Sequence, residues 1–125
     1  MKILIVDDDH NIRLFVSTAL AGDGIEILEA ESGAEAIATA KAQEPDLIIL
    51  DMMMPDMDGK TTIGKLRQEP NLVDTPVIFL TAKVQSHEVE AYSHLGAIGI
   101  ISKPFDPLTL PEQVSALLEA RNSAK

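Results

Sequence analysis

Apolar positions along the chain fall into two alternating rhythms. Short, nearly continuous aliphatic runs lie at Lys2–Val6, Ile25–Ala30, Asp46–Asp51, Pro76–Thr81 and Ile98–Ile101. Runs this short, rich in Ile, Leu and Val and bounded by Asp, Gly or Pro, predict buried β-strands. Between them, apolar residues recur at the spacing of amphipathic helices. Ile12, Phe15, Val16, Ala19 and Leu20 form the inward stripe of the first, which Gly22 and Gly24 end. Ser32 with Glu35 makes a capping box for a second helix that turns Ile37 and Ala40 inward and closes at Pro45. A third, capped by Asp58, follows Gly59 with Ile63 and Leu66 as its apolar contacts and breaks before Pro70. Ser86 can cap a fourth, from His87 to about Leu95, with Gly96 as its stop. Thr109 with Glu112 suggests a capping box for a fifth, with Pro111 in its first turn and Leu110, Val114, Leu117 and Leu118 facing inward.

Strands alternating with helices predict an α/β fold, a doubly wound, five-stranded parallel sheet with right-handed crossovers and helices on both faces. Residues 1–121 read as one domain. Residues 122–125 read as a tail, or equally as the start of a linker.

Composition narrows the function. A hydrophobic fraction of 46% with only four aromatics, Phe15, Phe79, Tyr92 and Phe105, implies an aliphatic core. The absence of cysteine excludes disulfides, thiolate metal sites and Cys nucleophiles, and fits a reducing cytoplasm. Met1–Val6 is too short for a signal peptide or a membrane span, so a soluble, cytoplasmic protein is expected. A net charge of −10 opposes direct nucleic-acid binding, which depends on phosphate neutralisation. A metal ion, a basic protein or an uncharged protein face is the expected partner.

The strand carboxyl ends of a parallel sheet open on one edge, and the residues placed there are unusual together. They are Asp7 and Asp8, Glu29 to Glu31, Asp51, Thr81 and Lys103. Two carboxylates about 5 Å apart repel by roughly 3 kcal/mol at an effective dielectric near 20. A hard divalent cation relieves that repulsion, and oxygen donors without nitrogen or sulfur suit Mg²⁺ or Mn²⁺. Beside such an ion, a strand-end aspartate can act as a nucleophile, while a hydroxyl and an ammonium neutralise the oxygens of a transferring phosphoryl group. Taken singly, Asp51 is a turn or cap residue, Thr81 a strand-end hydroxyl and Lys103 a surface charge; only their convergence points to phosphoryl transfer. Asp9, Asp56 and Asp58 are assigned to caps and turns, Met52 to Met54 to packing, and His10, His87 and His94 to solvated helix positions.

Asp51-Met-Met-Met-Pro55-Asp-Met-Asp58-Gly59 resembles the D-x-x-M-P-x-x-D-G signature of response-regulator receiver domains. The resemblance extends to the acidic pair Asp7–Asp8, to Thr81–Ala82 and to Lys103–Pro104–Phe105, and covers residues 1 to 120. It implies a flavodoxin-like sheet of order 2-1-3-4-5, which would place Asp7 and Asp8 beside Asp51. It further implies that Asp51 accepts a phosphoryl group from a histidine kinase or phosphotransfer protein in a two-component phosphorelay, the domain catalysing only its own phosphorylation and dephosphorylation. Asp8, Asp51 and the Met53 carbonyl would bind the metal, with Asp7 acting mostly through metal-bound water. Thr81 and Lys103 would hold the phosphoryl oxygens, and the Lys103–Pro104 peptide would be cis. Met53 and Lys83 match positions that tune the lifetime of the phosphorylated form. The downstream partner would be a protein bound on the face of the fourth helix, fifth strand and fifth helix, with no direct nucleic-acid or membrane contact.

The chain departs from the family at Ile100, where Tyr or Phe is usual three residues before the lysine. A switch carried by that ring is therefore replaced, in the present reading, by movement of the Thr81 loop beneath a more uniformly apolar surface. Two rival readings remain. Haloacid-dehalogenase-type phosphatases also combine a strand-end Asp, Mg²⁺, Thr or Ser and Lys, but their nucleophile opens a D-x-D motif on the first strand. An interaction module that is never phosphorylated would not need the full residue set found here.

Overall fold

The computed structural model describes residues 1–55, 57–82, 94 and 96–123. Five strands, β1 (Lys2–Val6), β2 (Glu26–Ala30), β3 (Leu47–Asp51), β4 (Val77–Thr81) and β5 (Ala97–Ser102), pair in parallel in the order β2-β1-β3-β4-β5. The five aliphatic runs thus become the five strands, each within a residue of the expected bounds. Among the described residues there are four α-helices, α1 (His10–Leu20), α2 (Gly33–Gln43), α3 (Gly59–Leu66) and a C-terminal helix (Leu110–Ser123), together with a 3₁₀ turn at Pro70–Leu72. The helix expected from His87 to Leu95 lies outside the described residues apart from His94, as do Asp56, Lys83 and Ser86.

Side chains alternate across the sheet because strand residues point to opposite faces. Leu4, Val6, Ile48, Leu50, Val77 and Phe79 meet Ala36 and Ala40 of α2 and Ile63 and Leu66 of α3 on one face. Ile3, Ile5, Leu47, Ile49, Ile78 and Leu80 meet Val16 and Leu20 of α1 and Leu110 and Val114 of the C-terminal helix on the other. Burial on both faces is what makes the strands read as unbroken aliphatic runs.

The caps explain where the helices begin. Asp9, Ser32 and Asp58 accept hydrogen bonds from the amides of Asn11, Glu35 and Thr61 and so open α1, α2 and α3. At the C-terminal helix the expectation fails: the Thr109 hydroxyl donates to the Asp106 carbonyl instead, and the Asp106 carboxylate makes the turn by accepting from the Leu108 amide at 2.9 Å. Phe15 also departs from its expected inward position. It is 49% exposed and meets the edge of Phe105, ring centroids 5.9 Å apart, between α1 and the loop that follows β5.

Candidate functional site

Because β1 and β3 are neighbours, with Val6 registered against Leu50, the residues leaving them emerge side by side. One carboxylate oxygen from each of Asp7, Asp8 and Asp51 lies within 4.8 Å of the other two. Asp7 and Asp51 are buried and Asp8 is exposed. Lys103 closes the pocket from the end of β5, its Nζ donating to Asp7 Oδ2 at 3.0 Å and to Asp51 Oδ1 at 3.1 Å. The register brings it there: Ser102 pairs with Thr81, the Lys103 amide donates to the Thr81 carbonyl at 2.8 Å, and the next peptide, Lys103–Pro104, is cis.

The loops around the carboxylates are tied to their own helices. Asp7 Oδ1 accepts from the Asp9 amide at 2.9 Å, and Asp9 in turn caps α1. Asp51 Oδ1 accepts weakly from the Met53 amide at 3.3 Å. The loop then returns, the Gly59 amide donating to the Met52 carbonyl at 3.0 Å as α3 begins. Met52 and Met54 pack into the core while Met53 turns its side chain to solvent.

Gly59 is required at this return by space. A Cβ there would lie 2.8 Å from the Asp51 carbonyl oxygen, 2.9 Å from the Phe79 ring and 3.0 Å from Met52 Cα. Gly59→Ala is expected to destabilise the fold by about 2 kcal/mol, because two of the three obstacles are backbone atoms that cannot yield as a side chain can. Gly64→Ala, on the same helix with nothing within 4 Å of the new carbon, should instead gain up to about 1 kcal/mol from helix propensity. Urea denaturation of the pair checks the contrast, and equal midpoints would exclude the packing argument.

Charge in the pocket is unevenly matched. Burial first, then the neighbouring Asp7 charge, push the Asp51 carboxyl above its ordinary value, against the opposing effects of Lys103 and the Met53 amide. For Lys103, burial alone would lower the ammonium; hydrogen bonds and charge from Asp7 and Asp51 outweigh it, and the net shift is upward. The two directions are compatible, since one ammonium serves two carboxylates: Lys103 gains from both, whereas Asp51 still faces Asp7. The pocket therefore carries uncompensated negative charge. Three carboxylates with no nitrogen or sulfur donor among them suit a hard divalent cation.

Asp7, Asp8, Asp51 and Lys103 are thus brought together. Thr81 is buried at the end of β4, one residue beyond Leu80, the registered neighbour of Asp51. Met53 contributes its amide to Asp51, and Lys83 lies outside the described residues. One residue escaped the sequence reading. Arg13 on α1 donates from Nη1 to the Asp7 carbonyl at 2.8 Å. Its available signal was a cation in the opening turn of a helix, against the macrodipole and just after three aspartates.

The sheet order defines a flavodoxin-like domain, with an acidic cluster that could hold a metal ion at its switch point. The sequence profile of the response regulator receiver domain matches residues 3–115, and the chain belongs to that family. It is 40% identical over 116 residues to the phosphate regulon transcriptional regulatory protein PhoB of Pseudomonas aeruginosa, a match covering 93% of this chain and 51% of that protein. It is 36% identical over 117 residues to the alkaline phosphatase synthesis transcriptional regulatory protein PhoP of Bacillus subtilis, covering 94% of this chain and 48% of that one. The chain thus spans about half the length of these curated relatives. Among solved structures it resembles the chemotaxis protein CheY4 of Vibrio cholerae, with a TM-score of 0.87, 34% identity and coverage of 93% of this chain and 97% of that one. No helix among the described residues is long and apolar enough to cross a membrane.

Proposed function

We propose that Asp51 takes a phosphoryl group from the phosphohistidine of a histidine kinase or phosphotransfer protein, and that the phosphorylated domain signals to a downstream protein. The observation that carries this reading is the Lys103 ammonium held 3.0 and 3.1 Å from two buried carboxylates, beside a third. An Asp51 oxygen attacks phosphorus, the P–N bond breaks, and its electron pair returns to the donor imidazole nitrogen, which takes up a proton. Both hydrogen bonds that Asp51 accepts from described residues fall on Oδ1, which leaves Oδ2 available to reach the phosphorus.

Asp7, Asp8, Asp51 and the Met53 carbonyl are the groups that would hold Mg²⁺ or Mn²⁺, which supplies neutralisation of the carboxylate and phosphoryl oxygens. Lys103 and Thr81 take the remaining phosphoryl oxygens. The domain promotes its own phosphorylation and dephosphorylation and turns over no other substrate. The output face includes β5 and the C-terminal helix, where Ile100 is half-buried and lines a groove with Phe105, Thr109 and Leu117. Ile100 stands where an aromatic switch is expected, and the Thr81 loop is the element that would report the phosphate.

The test is mass spectrometry after incubation with a phosphorylated kinase or acetyl phosphate. One phosphoryl group per chain, mapped to Asp51 and abolished by EDTA, is expected. Failure of every donor to label the chain, or sustained hydrolysis of many small phosphomonoesters, would overturn the proposal.

A further inference from the structure

We propose that Arg13 is the positioning residue of the acidic pocket: by holding the Asp7 carbonyl it fixes the peptide joining Asp7 to Asp8, and so aims the exposed Asp8 carboxylate at the cation. The inference rests on the cation-binding reading of the pocket given above. Arg13 is the only Lys or Arg of α1, and its side chain is 13% exposed although it sits in the helix's opening turn. There it opposes the positive end of the helix dipole, an unfavourable place that the surrounding acidic groups offset.

Its guanidinium makes three contacts. Nη1 donates to the Asp7 carbonyl at 2.8 Å, Nε donates to Glu29 Oε1 of β2 at 3.2 Å, and Nη2 lies 3.4 Å from His10 Nδ1. The first is the shortest and falls on the chain of the pocket itself. The Asp7 amide is bonded on its other side to the Ala30 carbonyl at 3.2 Å, so Asp7 is held through both of its peptide groups. A peptide unit is planar, so fixing the Asp7 carbonyl also fixes the Asp8 amide, and the Asp9 amide bonded to Asp7 Oδ1 holds the peptide that follows; between the two, the Asp8 backbone and the direction of its Cβ are set.

Asp8 needs such help more than its neighbours do. The Asp7 carboxylate is held by Lys103 and the Asp9 amide, and that of Asp51 by Lys103 and the Met53 amide. The Asp8 carboxylate, exposed, makes no hydrogen bond or ion pair with any described residue, so among those residues the restraint on it comes through its backbone. Groups that orient a metal ligand from behind typically govern affinity by 10- to 100-fold. Glu29 steadies Arg13 from β2 but is itself largely exposed, so the Asp7 bond is the one the pocket depends on.

The experiment is a calorimetric titration of the intact chain with Mg²⁺, comparing wild type, Arg13→Gln, Arg13→Lys, Glu29→Gln and Asp8→Asn, with the melting temperature of each measured in EDTA. Arg13→Gln should weaken Mg²⁺ binding about tenfold, Arg13→Lys, which keeps one donor for the Asp7 carbonyl, by about threefold, and Glu29→Gln by less than about twofold. A role confined to fold stability would instead move the melting temperatures in EDTA and leave Mg²⁺ affinity in step with Glu29→Gln. If Arg13→Gln fails to fold, the graded loss in Arg13→Lys carries the test. The proposal is overturned if the Arg13 variants bind Mg²⁺ as wild type does while Asp8→Asn does not. If Asp8→Asn also binds normally, the cation site itself has been misplaced and both readings fall together.

Discussion

Asp51→Asn is expected to abolish phosphoryl uptake and, at neutral pH without divalent cation, to make the protein more stable. The two effects share one cause. Asp51 is buried, faces Asp7 across the pocket and shares a single ammonium with it, so its ionised form is disfavoured in the folded state. A carboxyl raised above its unfolded value binds its proton more tightly when folded, and the linkage has a definite sign. As the pH climbs past the unfolded value of 3.8 and through the raised folded value, Asp51 progressively removes stability. Asparagine keeps the shape and an acceptor oxygen for Lys103 and never ionises. Its melting temperature in EDTA should therefore exceed that of wild type at pH 7, with the gap closing as the pH falls below 3.8. Mg²⁺ should stabilise wild type, since it binds the folded pocket, and stabilise Asp51→Asn less. Labelling by a phosphodonor should drop to background, since the oxygen proposed to attack phosphorus is gone. An Asp51→Asn protein that melts below wild type in EDTA would show that Asp51 is held by its partners more strongly than burial and Asp7 oppose it.

Strain between stability and chemistry is seldom visible in sequence, yet much of this site was. Four of the five strand ends were legible as site positions because aliphatic runs give way to Asp7, Asp51, Thr81 and Lys103, and parallel pairing sends all four to one edge. That Asp7 and Lys103 touch is a contact across 96 positions of chain, and no local periodicity announces it. The family signature supplied the strand order, which puts Asp7 beside Asp51 but leaves two strands between β1 and β5, so the reach of Lys103 to Asp7 appears only in the structure. The failures are local by comparison. Phe15 falls on the apolar stripe of α1 by spacing, but spacing cannot tell the centre of a helix face from its flank, and the flank is where Phe105 waits. Thr109 has the right type for a cap, yet its hydroxyl donates to the Asp106 carbonyl, and the Asp106 carboxylate takes the Leu108 amide. Arg13 escaped because its partner is a main-chain carbonyl, which has no sequence identity at all. Gly59 stood in the sequence only as the residue before the third helix and the last of the family signature, whereas its place is set by the closeness of Asp51, Met52 and Phe79.

Lys103→Met tests the same charge balance from the opposite side and should give the largest loss of stability in the domain's pocket. The methionine retains most of the apolar stem and removes only the ammonium. Two buried carboxylates are then left facing each other without a counter-charge, and stripping one member from a buried ionic set costs about 3–5 kcal/mol. Lys103 is 21% exposed, so water recovers part of this, and about 3 kcal/mol is the expected figure in EDTA at pH 7. For a domain of this size that corresponds to a melting temperature lower by about 10 °C. Because the Lys103 ammonium is held above its ordinary value of 10.5, its contribution is fully present in wild type at pH 7 and is lost only as the pH rises through the folded value. Mg²⁺ should restore much of the deficit, since the ion brings the missing positive charge to the same carboxylates. Adding Asp7→Asn to Lys103→Met should restore it without metal by removing the repulsion itself. Chemistry should not recover with either rescue: a pocket without the ammonium lacks one donor for the transferring phosphoryl oxygens, and labelling of Asp51 should remain about 100-fold slower even in saturating Mg²⁺. A Lys103→Met protein that melts with wild type in EDTA would mean that Asp7 and Asp51 do not oppose each other in the metal-free fold, and the case for a cation between them would lose its electrostatic basis.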